Sequence, residues 1–289
     1  MAISAAMVKE LRERTGLGMM ECKKALEETA GDMELAIEEL RKKSALKAAK
    51  KAGRTTADGL LGVRVSDDGK RAALVEVNIE TDFAAKNEKF IAYVKDVLNQ
   101  VFESGETDLA KLMAGDLEKR REALVQEIGE NISVRRAAFF ETSDGQITAY
   151  LHGDNRKGAL VELHGGDTAL GRDVAMHVTA INPMVVRSEE VPADVLAKER
   201  EIYTAQAADS GKPADIVAKM VEGRIRKFLA EVSLVDQPFV KDPNLTIAKL
   251  LSGAGAQCRR FVRFEVGEGI EVEKVDFAAE VAAQVQASR

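Results

Sequence analysis

One short module occurs twice in the sequence, and this repeat limits the possible folds more than any other feature. Ala73-Leu74-Val75-Glu76 corresponds to Ala159-Leu160-Val161-Glu162, and each copy follows a basic residue and a turn that contains glycine. Both copies have the composition of a hairpin strand that leads into a helix. Matching residue pairs end the two halves: Arg135-Arg136 and Phe140-Glu141 in the first, Arg259-Arg260 and Phe264-Glu265 in the second. The sequence therefore predicts an α+β fold whose core consists of two related halves.

Length and composition are typical of a multidomain globular protein. The chain has 289 residues, of which 45% are hydrophobic, and no apolar run approaches the length of a membrane span. No signal peptide is recognisable, and the distant Cys22 and Cys258 form no CxxC motif, so we expect a reducing, cytoplasmic location. The net charge of -6 and the 4% aromatic content argue against direct binding of nucleic acid.

The apolar pattern divides the chain into five segments. Helical spacing predicts a small N-terminal domain, a helical hairpin inserted in the second half and a last helix from Asp276. The hairpin is predicted from Leu196, Ile202 and Tyr203 before its turn, and from Val221, Ile225, Phe228 and Val232 after it. The predicted segments are 1–54 (helical domain and basic linker), 55–143 (first core half), 144–186 with 238–268 (second core half), 187–237 (hairpin) and 269–289 (C-terminal helical module).

Two of these segments have a role that the pattern alone leaves open. Residues 41–54 contain seven basic residues and no acidic one, which fits a patch for an anionic ligand or a solvated helix and linker. The hairpin at 187–237 resembles an antiparallel coiled coil, which fits a surface for association or a rigid appendage. Self-association through the hairpin or the second core half stays open in the same way.

The sequence contains no recognisable catalytic or metal-binding motif. His152, His164 and His177 are 12 and 13 residues apart, with no HExxH and no cysteine cluster. The phosphate-binding GxxxxGK[ST] loop and the GxSxG elbow are also missing. We therefore predict no enzyme activity, no metal and no cofactor, and interpret the histidines as surface or hydrogen-bonded structural residues.

The first repeat alone carries Asn78-Ile79-Glu80-Thr81-Asp82-Phe83 at its end. Strands are predicted at 60–65 and 72–78, and Thr81 or Asp82 then caps a helix that contains Phe90 and Val94. Phe83 lies in the first turn of this helix. It is either a core residue, as most phenylalanines are, or a wedge beside a charge that could separate two packed elements of a partner.

Two long motifs, LRERTGLGMMECKKAL at 11–26 and EVNIETDF at 76–83, occur here in the order in which elongation factor Ts proteins have them. The chain resembles this bacterial family over its whole length. The resemblance implies an N-terminal ubiquitin-associated-like three-helix domain, a two-part core, an inserted coiled-coil hairpin and a C-terminal helical module. It also implies a guanine-nucleotide exchange factor that binds elongation factor Tu in its GDP-bound and nucleotide-free forms and promotes GDP release. A coiled-coil scaffold without exchange activity is the alternative.

The resemblance further implies which residues contact elongation factor Tu. Asp82 and Phe83 would insert among helices of its GTPase domain and disturb the magnesium site, with Ala84 and Ala85 completing this tip. The family usually has Val at the position of Ala84 and often Cys at that of Ile79, so this tip offers less apolar area. The other implied contacts are Arg12, Met19, Met20 and Lys23 in the N-terminal domain, Ile128 and Gly129 in the first half, and His152 in the second.

Overall fold

Three helices form the N-terminal part of the protein. The computed structural model describes residues 3–208 and 213–271, beginning with α1 (Ala5–Thr15), α2 (Met19–Glu28) and α3 (Met33–Lys51). The side chains of Ser4 and Asp32 cap α1 and α3, and α1 ends at Gly16, whose φ of 73° favours glycine. Leu11 and Leu26 are fully buried between the helices. These helices thus enclose a small core of their own.

The first core half contains a three-stranded antiparallel sheet in the order β1-β2-β3. Its elements are β1 (Asp58–Val65), β2 (Arg71–Ile79), α4 (Asp82–Ala85), α5 (Glu88–Ser104), α6 (Leu109–Leu112), α7 (Asp116–Ile128) and β3 (Ile132–Glu141). The single helix predicted after β2 is in fact two helices. Thr81 caps α4, but the Asn87 side chain accepts a hydrogen bond from the Lys89 amide and starts α5 as a new helix.

The basic segment predicted at 41–54 continues α3 as far as Lys51. Lys43 and Lys47 form ion pairs with Glu28 and Glu21 of α2 at 2.5 and 2.8 Å. Because these charges are paired and α3 packs along α7, the segment joins the N-terminal helices to the first half. The interpretation as a helix is therefore favoured over a free anion-binding patch.

The second core half repeats the arrangement of the first, with its own sheet in the order β4-β5-β8. Its elements, together with those of the insertion, are β4 (Gln146–Leu151), β5 (Lys157–His164), α8 (Thr168–Ile181), α9 (Ala193–Ala208), α10 (Ala214–Val232), β6 (Pro238–Phe239), β7 (Asp242–Thr246), α11 (Ile247–Gly253) and β8 (Gln257–Glu265). Two short 3-10 helices, Ser188–Glu190 and Leu234–Asp236, flank the α9–α10 hairpin. The elements of both halves together form an α+β fold.

The two sheets pack face to face, and a helix covers the outer face of each. Leu74 of β2 and Leu160 of β5 are fully buried between the sheets. Alternate residues of the same strands point the other way, with Val75 packed under α5 and Val161 under α8. The central strands are therefore buried on both sides, which explains their nearly continuous apolar sequences.

Each half buries one glutamate in its central strand and pairs it with an arginine. Arg136 Nε lies 2.5 Å from Glu76 Oε2, and Arg260 Nε lies 2.6 Å from Glu162 Oε2. A β-bulge follows Glu76 in the β2–β3 register, and another follows Glu162 in the β5–β8 register. Arg136 and Arg260, which correspond in the sequence, thus have the same structural role: each pairs with the buried glutamate of its own sheet.

The same two arginines also bridge the sheets, each reaching the last strand of the other half. Arg136 donates a hydrogen bond to the Glu265 carbonyl and lies 4.3 Å from the centre of the Phe264 ring. Arg260 donates to the Glu141 carbonyl and lies 4.2 Å from the centre of the Phe140 ring. This reciprocal arrangement fixes the two halves relative to each other.

The inserted hairpin is held by a narrow apolar seam. Val221 and Ile225 of α10 are buried against α9, whereas Ile202, predicted to lie in the seam, is exposed. Ser233 pairs with Val185 in an isolated β-bridge at the base of the hairpin, a contact that the helical pattern of 187–237 did not predict. The helix predicted from Asp276 lies outside the described residues. Within 3–208 and 213–271, no helix is both long and apolar enough to cross a membrane.

We expect Glu76→Gln to lower the free energy of unfolding by about 1–3 kcal/mol, because it breaks a buried ion pair, although Arg136 keeps its pair with Glu268 at 3.3 Å. The Glu76 side chain also accepts hydrogen bonds from Arg135 and from the Gly267 amide, and Gln would present an NH₂ group to one of these donors. Denaturant titration of wild type, Glu76→Gln and a control variant measures the change in the free energy of unfolding. Glu141→Gln, on the exposed rim of β3, is the matched control and should change stability by less than about 0.5 kcal/mol. Equal stabilities of the two variants would contradict this role of Glu76.

Candidate functional site

Phe83 projects from the end of β2 on a helix of four residues. The chain leaves the sheet after Ile79, and the Thr81 hydroxyl caps α4 by accepting a hydrogen bond from the Ala84 amide at 3.2 Å. Ala85 is buried in the first-half core, whereas Phe83 is 80% exposed. The interpretation of Phe83 as a core residue is therefore wrong. The Phe83 ring therefore presents apolar area to solvent that a partner could bury.

A charged pair lies beside this ring. Lys86 Nζ is 2.9 Å from Asp82 Oδ2 and 5.3 Å from the centre of the Phe83 ring. The hydrogen bond from Lys86 lowers the pKa of the Asp82 carboxyl, which is therefore ionised at neutral pH. Asp82 and Phe83 thus offer an anionic group next to an apolar ring, while Ala84 is half-buried against the core.

The turn between α7 and β3 holds the two residues that precede the tip. Glu130 Oε2 accepts a hydrogen bond from the Thr81 amide at 3.0 Å, and Glu130 Oε1 accepts one from the Thr81 hydroxyl at 2.8 Å. Glu80 Oε1 in turn accepts one from the Asn131 amide at 2.6 Å. These hydrogen bonds join residues that are 49 and 51 positions apart in the sequence.

Ile128 and Gly129 lie in the same turn and therefore next to the tip. Gly129 ends α7 with a φ of 87°, and its carbonyl accepts a hydrogen bond from Lys51 of α3. The Ile128 side chain is half-buried against the first-half core. The turn thus joins α3, α7 and the segment before Phe83.

A lysine at the start of α5 ties the N-terminal helices to this region. The Lys89 ammonium donates to the Gly16 carbonyl at 3.2 Å and to the Glu127 carboxylate. Met19 and Met20, just after this α1–α2 turn, are 59% and 74% exposed. Arg12 and Lys23 are also exposed, with Lys23 3.8 Å from Glu27.

His152 is exposed in the β4–β5 turn and lies 2.9 Å from Asp154 through Nδ1. This turn contacts the first half, because Arg156 pairs with Asp58 at 2.5 Å and the Asn155 carbonyl accepts a hydrogen bond from Leu61. Asp58 is the register partner of Ile79, the last residue of β2. The β4–β5 turn that carries His152 is therefore attached to the first half near the start of β1.

Sequence reasoning did not identify Glu130, Lys86 or Lys89 as parts of this region. Glu130 and Thr81 are 49 positions apart, and Lys89 and Gly16 are 73 apart. Glu130 had one signal in the sequence, its position beside Ile128 and Gly129, whereas Lys86 and Lys89 had none. Such distant pairs leave no periodic pattern in one sequence.

The histidines and cysteines do not form a reactive cluster. His177 is fully buried, with Nε2 2.9 Å from Gln237 Oε1 and Nδ1 accepting a hydrogen bond from the Val240 amide. The interpretation of His177 as a hydrogen-bonded structural residue is confirmed. Burial raises the pKa of the Cys258 thiol to about 12, so it is an unreactive thiol at neutral pH. In the described ranges no three His, Cys, Asp or Glu side chains are grouped to hold a metal ion.

The fold and this surface define an α+β protein with two related core halves and an exposed acidic-aromatic tip. Comparison with known proteins then assigns the family. A family model described as Elongation factor TS matches residues 80–268. Elongation factor Ts of Hahella chejuensis is 60% identical over 285 residues, covering 99% of both chains, and that of Saccharophagus degradans is 59% identical over the full length of both. The chain belongs to the elongation factor Ts family and is therefore a translation elongation factor.

We expect the free energy of unfolding to fall between about pH 7 and about pH 5, partly because of His177. Burial lowers the pKa of His177 below its ordinary value of 6.5, so the unfolded state binds the proton more readily and acid favours unfolding. Denaturant titrations across this range should show a smaller pH dependence in His177→Gln. His152→Gln, at an exposed position, should retain the wild-type dependence. An unchanged slope in His177→Gln would contradict this assignment.

Proposed function

We propose that this protein is the guanine-nucleotide exchange factor for elongation factor Tu. It binds the GDP-bound form, promotes GDP release by disturbing the magnesium and phosphate site of the GTPase domain, and so allows GTP to bind. The observation that carries the proposal is the exposure of Phe83, 80%, on a helix anchored at its start by Glu130. An exchange factor needs no nucleotide site of its own, which agrees with the motifs missing from the sequence.

The tip supplies two effects in this proposal. The Phe83 ring enters between packed helices of the partner, and the Asp82 carboxylate brings negative charge towards its magnesium and phosphate site. Burying a phenylalanine is worth about 1.5–3 kcal/mol, or up to about two orders of magnitude in an equilibrium constant. Release of a tightly bound nucleotide requires more than this.

Other contacts must therefore contribute to the coupling. In this proposal the exposed Met19 and Met20 add apolar area to the contact, and the Ile128–Gly129 turn and His152 extend it. Arg12 and Lys23 add exposed positive charge. Only contacts that are stronger with the nucleotide-free partner than with the GDP-bound partner promote release.

The domain organisation is part of the proposal. We assign 1–54 as a ubiquitin-associated-like domain, 55–143 and 144–186 with 238–268 as the two core halves, 187–237 as the coiled-coil insertion and 269–289 as the C-terminal module. The protein would act in the cytoplasm, where translation takes place.

The hairpin supports a second candidate function, a binding scaffold without exchange activity. Ile202 of α9 and Ile216 of α10 are each 38% exposed and lie outside the apolar seam. They offer an apolar surface for another protein or for a second copy of this chain. A scaffold of this kind would not depend on Asp82 or Phe83.

The exchange proposal predicts that wild type accelerates the release of fluorescent GDP from purified elongation factor Tu. Phe83→Ala should reduce this acceleration about 10- to 100-fold because the ring contributes burial only in the complex. Adding Asp82→Ala should reduce it further. Ile202→Ala removes a 38% exposed apolar side chain from the hairpin and should behave like wild type. If wild type does not accelerate GDP release, the proposal is overturned. If Phe83→Ala and Ile202→Ala lose the same amount of acceleration, the tip has no special role.

The proposal also predicts that excess GDP dissociates the purified complex. If the protein weakens GDP binding by some factor, GDP must weaken binding of the protein by the same factor. Size-exclusion chromatography with and without saturating GDP measures this. A complex that stays intact in saturating GDP would contradict the coupling.

A further inference from the structure

The helix that carries Phe83 is too short to fix its own orientation. α4 has four residues, and helices of this length are unstable without outside contacts. On its inner side only Ala85 is fully buried, and Ala84 is half-buried. The direction of the Phe83 ring therefore depends on contacts outside the helix. At its end the Lys86 and Asn87 amides donate to the Phe83 and Ala84 carbonyls, and at its start side-chain contacts hold Thr81.

Glu130 supplies those contacts with both oxygens of its carboxylate. One oxygen accepts from the Thr81 amide and the other from the Thr81 hydroxyl, at 3.0 and 2.8 Å. The same hydroxyl accepts from the Ala84 amide, which continues the chain of hydrogen bonds into the first turn of α4. Glutamine replaces this group only in part: its amide oxygen accepts from the Thr81 amide, but its NH₂ group must donate to the Thr81 hydroxyl, so the charge-assisted hydrogen bond that the hydroxyl donates is lost.

Glu130 also links two separate elements of the proposed contact surface. It follows Gly129 directly, in the turn that contains Ile128. Glu80, one residue before Thr81, is bound in return by the Asn131 amide at 2.6 Å. The tip and the Ile128–Gly129 turn are therefore held together by reciprocal hydrogen bonds from both sides.

We propose that Glu130 is a positioning residue for nucleotide exchange, which holds Thr81 so that Phe83 and the Ile128–Gly129 turn meet the GTPase in one fixed arrangement. This inference rests on the proposed function. Without the clamp the tip samples several orientations, and only the fraction in the binding-competent one contributes to GDP release. Glu130 itself need not touch the partner.

GDP release from elongation factor Tu tests the inference directly. Glu130→Gln should reduce the acceleration about tenfold, which corresponds to about 1.4 kcal/mol. Thr81→Val, which loses the hydroxyl and with it the cap of α4, should show at least the same loss, and Thr81→Ser, which keeps both, should retain wild-type exchange. Glu122→Gln is the matched control, because Glu122 is a half-buried glutamate of α7, whereas the glutamate that binds Thr81 is Glu130. It should behave like wild type.

The Phe83→Ala background separates positioning from a general loss of structure. Glu130→Gln should add about a threefold loss at most there, well below tenfold, because Glu130 acts chiefly through Phe83 and only in part through the Ile128–Gly129 turn. Amide hydrogen exchange in the free protein should also quicken at Thr81 and Ala84 in Glu130→Gln, with the protection of α5 unchanged.

Different outcomes overturn the two proposals. Wild-type release rates in Glu130→Gln, or a full tenfold loss in the Phe83→Ala background, would overturn the positioning role alone. Loss of protection throughout α5 would identify Glu130 as a general stability residue and also overturn it. Wild type that fails to accelerate GDP release would overturn the proposed exchange function instead.

Discussion

The buried glutamate–arginine pairs are the interaction on which the rest of the structure depends. Burial of a carboxylate is costly unless it is paired and hydrogen-bonded, and each half meets this need with an arginine from its last strand. For Glu162, burial raises the pKa, but the hydrogen bond from Arg260 acts against it and the net shift is downward. Because Arg136 and Arg260 also bind the last strand of the opposite half, the same groups close each sheet and join both sheets.

A core fixed in this way provides a rigid base for the surface at one end of the first sheet. Polar contacts attach three separate parts of the chain there: Glu130 holds the segment before Phe83, Lys89 holds the N-terminal helices, and Arg156 holds the β4–β5 turn. The apolar groups they present, above all Phe83 and Met20, remain exposed. The buried ion pairs thus stabilise the core, whereas the exposed side chains on the anchored turns are available for contact with a partner.

The repeated strands could be predicted because alternation, turn residues and length are local signals, and β2 and β5 lie close to the predicted positions. The split of one predicted helix into α4 and α5 was missed because Asn87 competes with Thr81 as a helix cap. Family resemblance indicated which residues form the tip, whereas only the three-dimensional fold shows that Phe83 is exposed and not a core residue. Contacts such as Glu76 with Gly267, 191 positions apart, have no signal in a single sequence.

The central claim is that this anchored surface, with Phe83 at its tip, is where the protein meets its partner. A structure of the chain bound to nucleotide-free elongation factor Tu tests it most directly. The account predicts that the Phe83 side chain, 80% exposed in the free protein, is buried among helices of the GTPase domain, with Glu130 still bound to Thr81. A complex in which Phe83 stays in solvent while the partner binds elsewhere, for example along the α9–α10 hairpin, would contradict it.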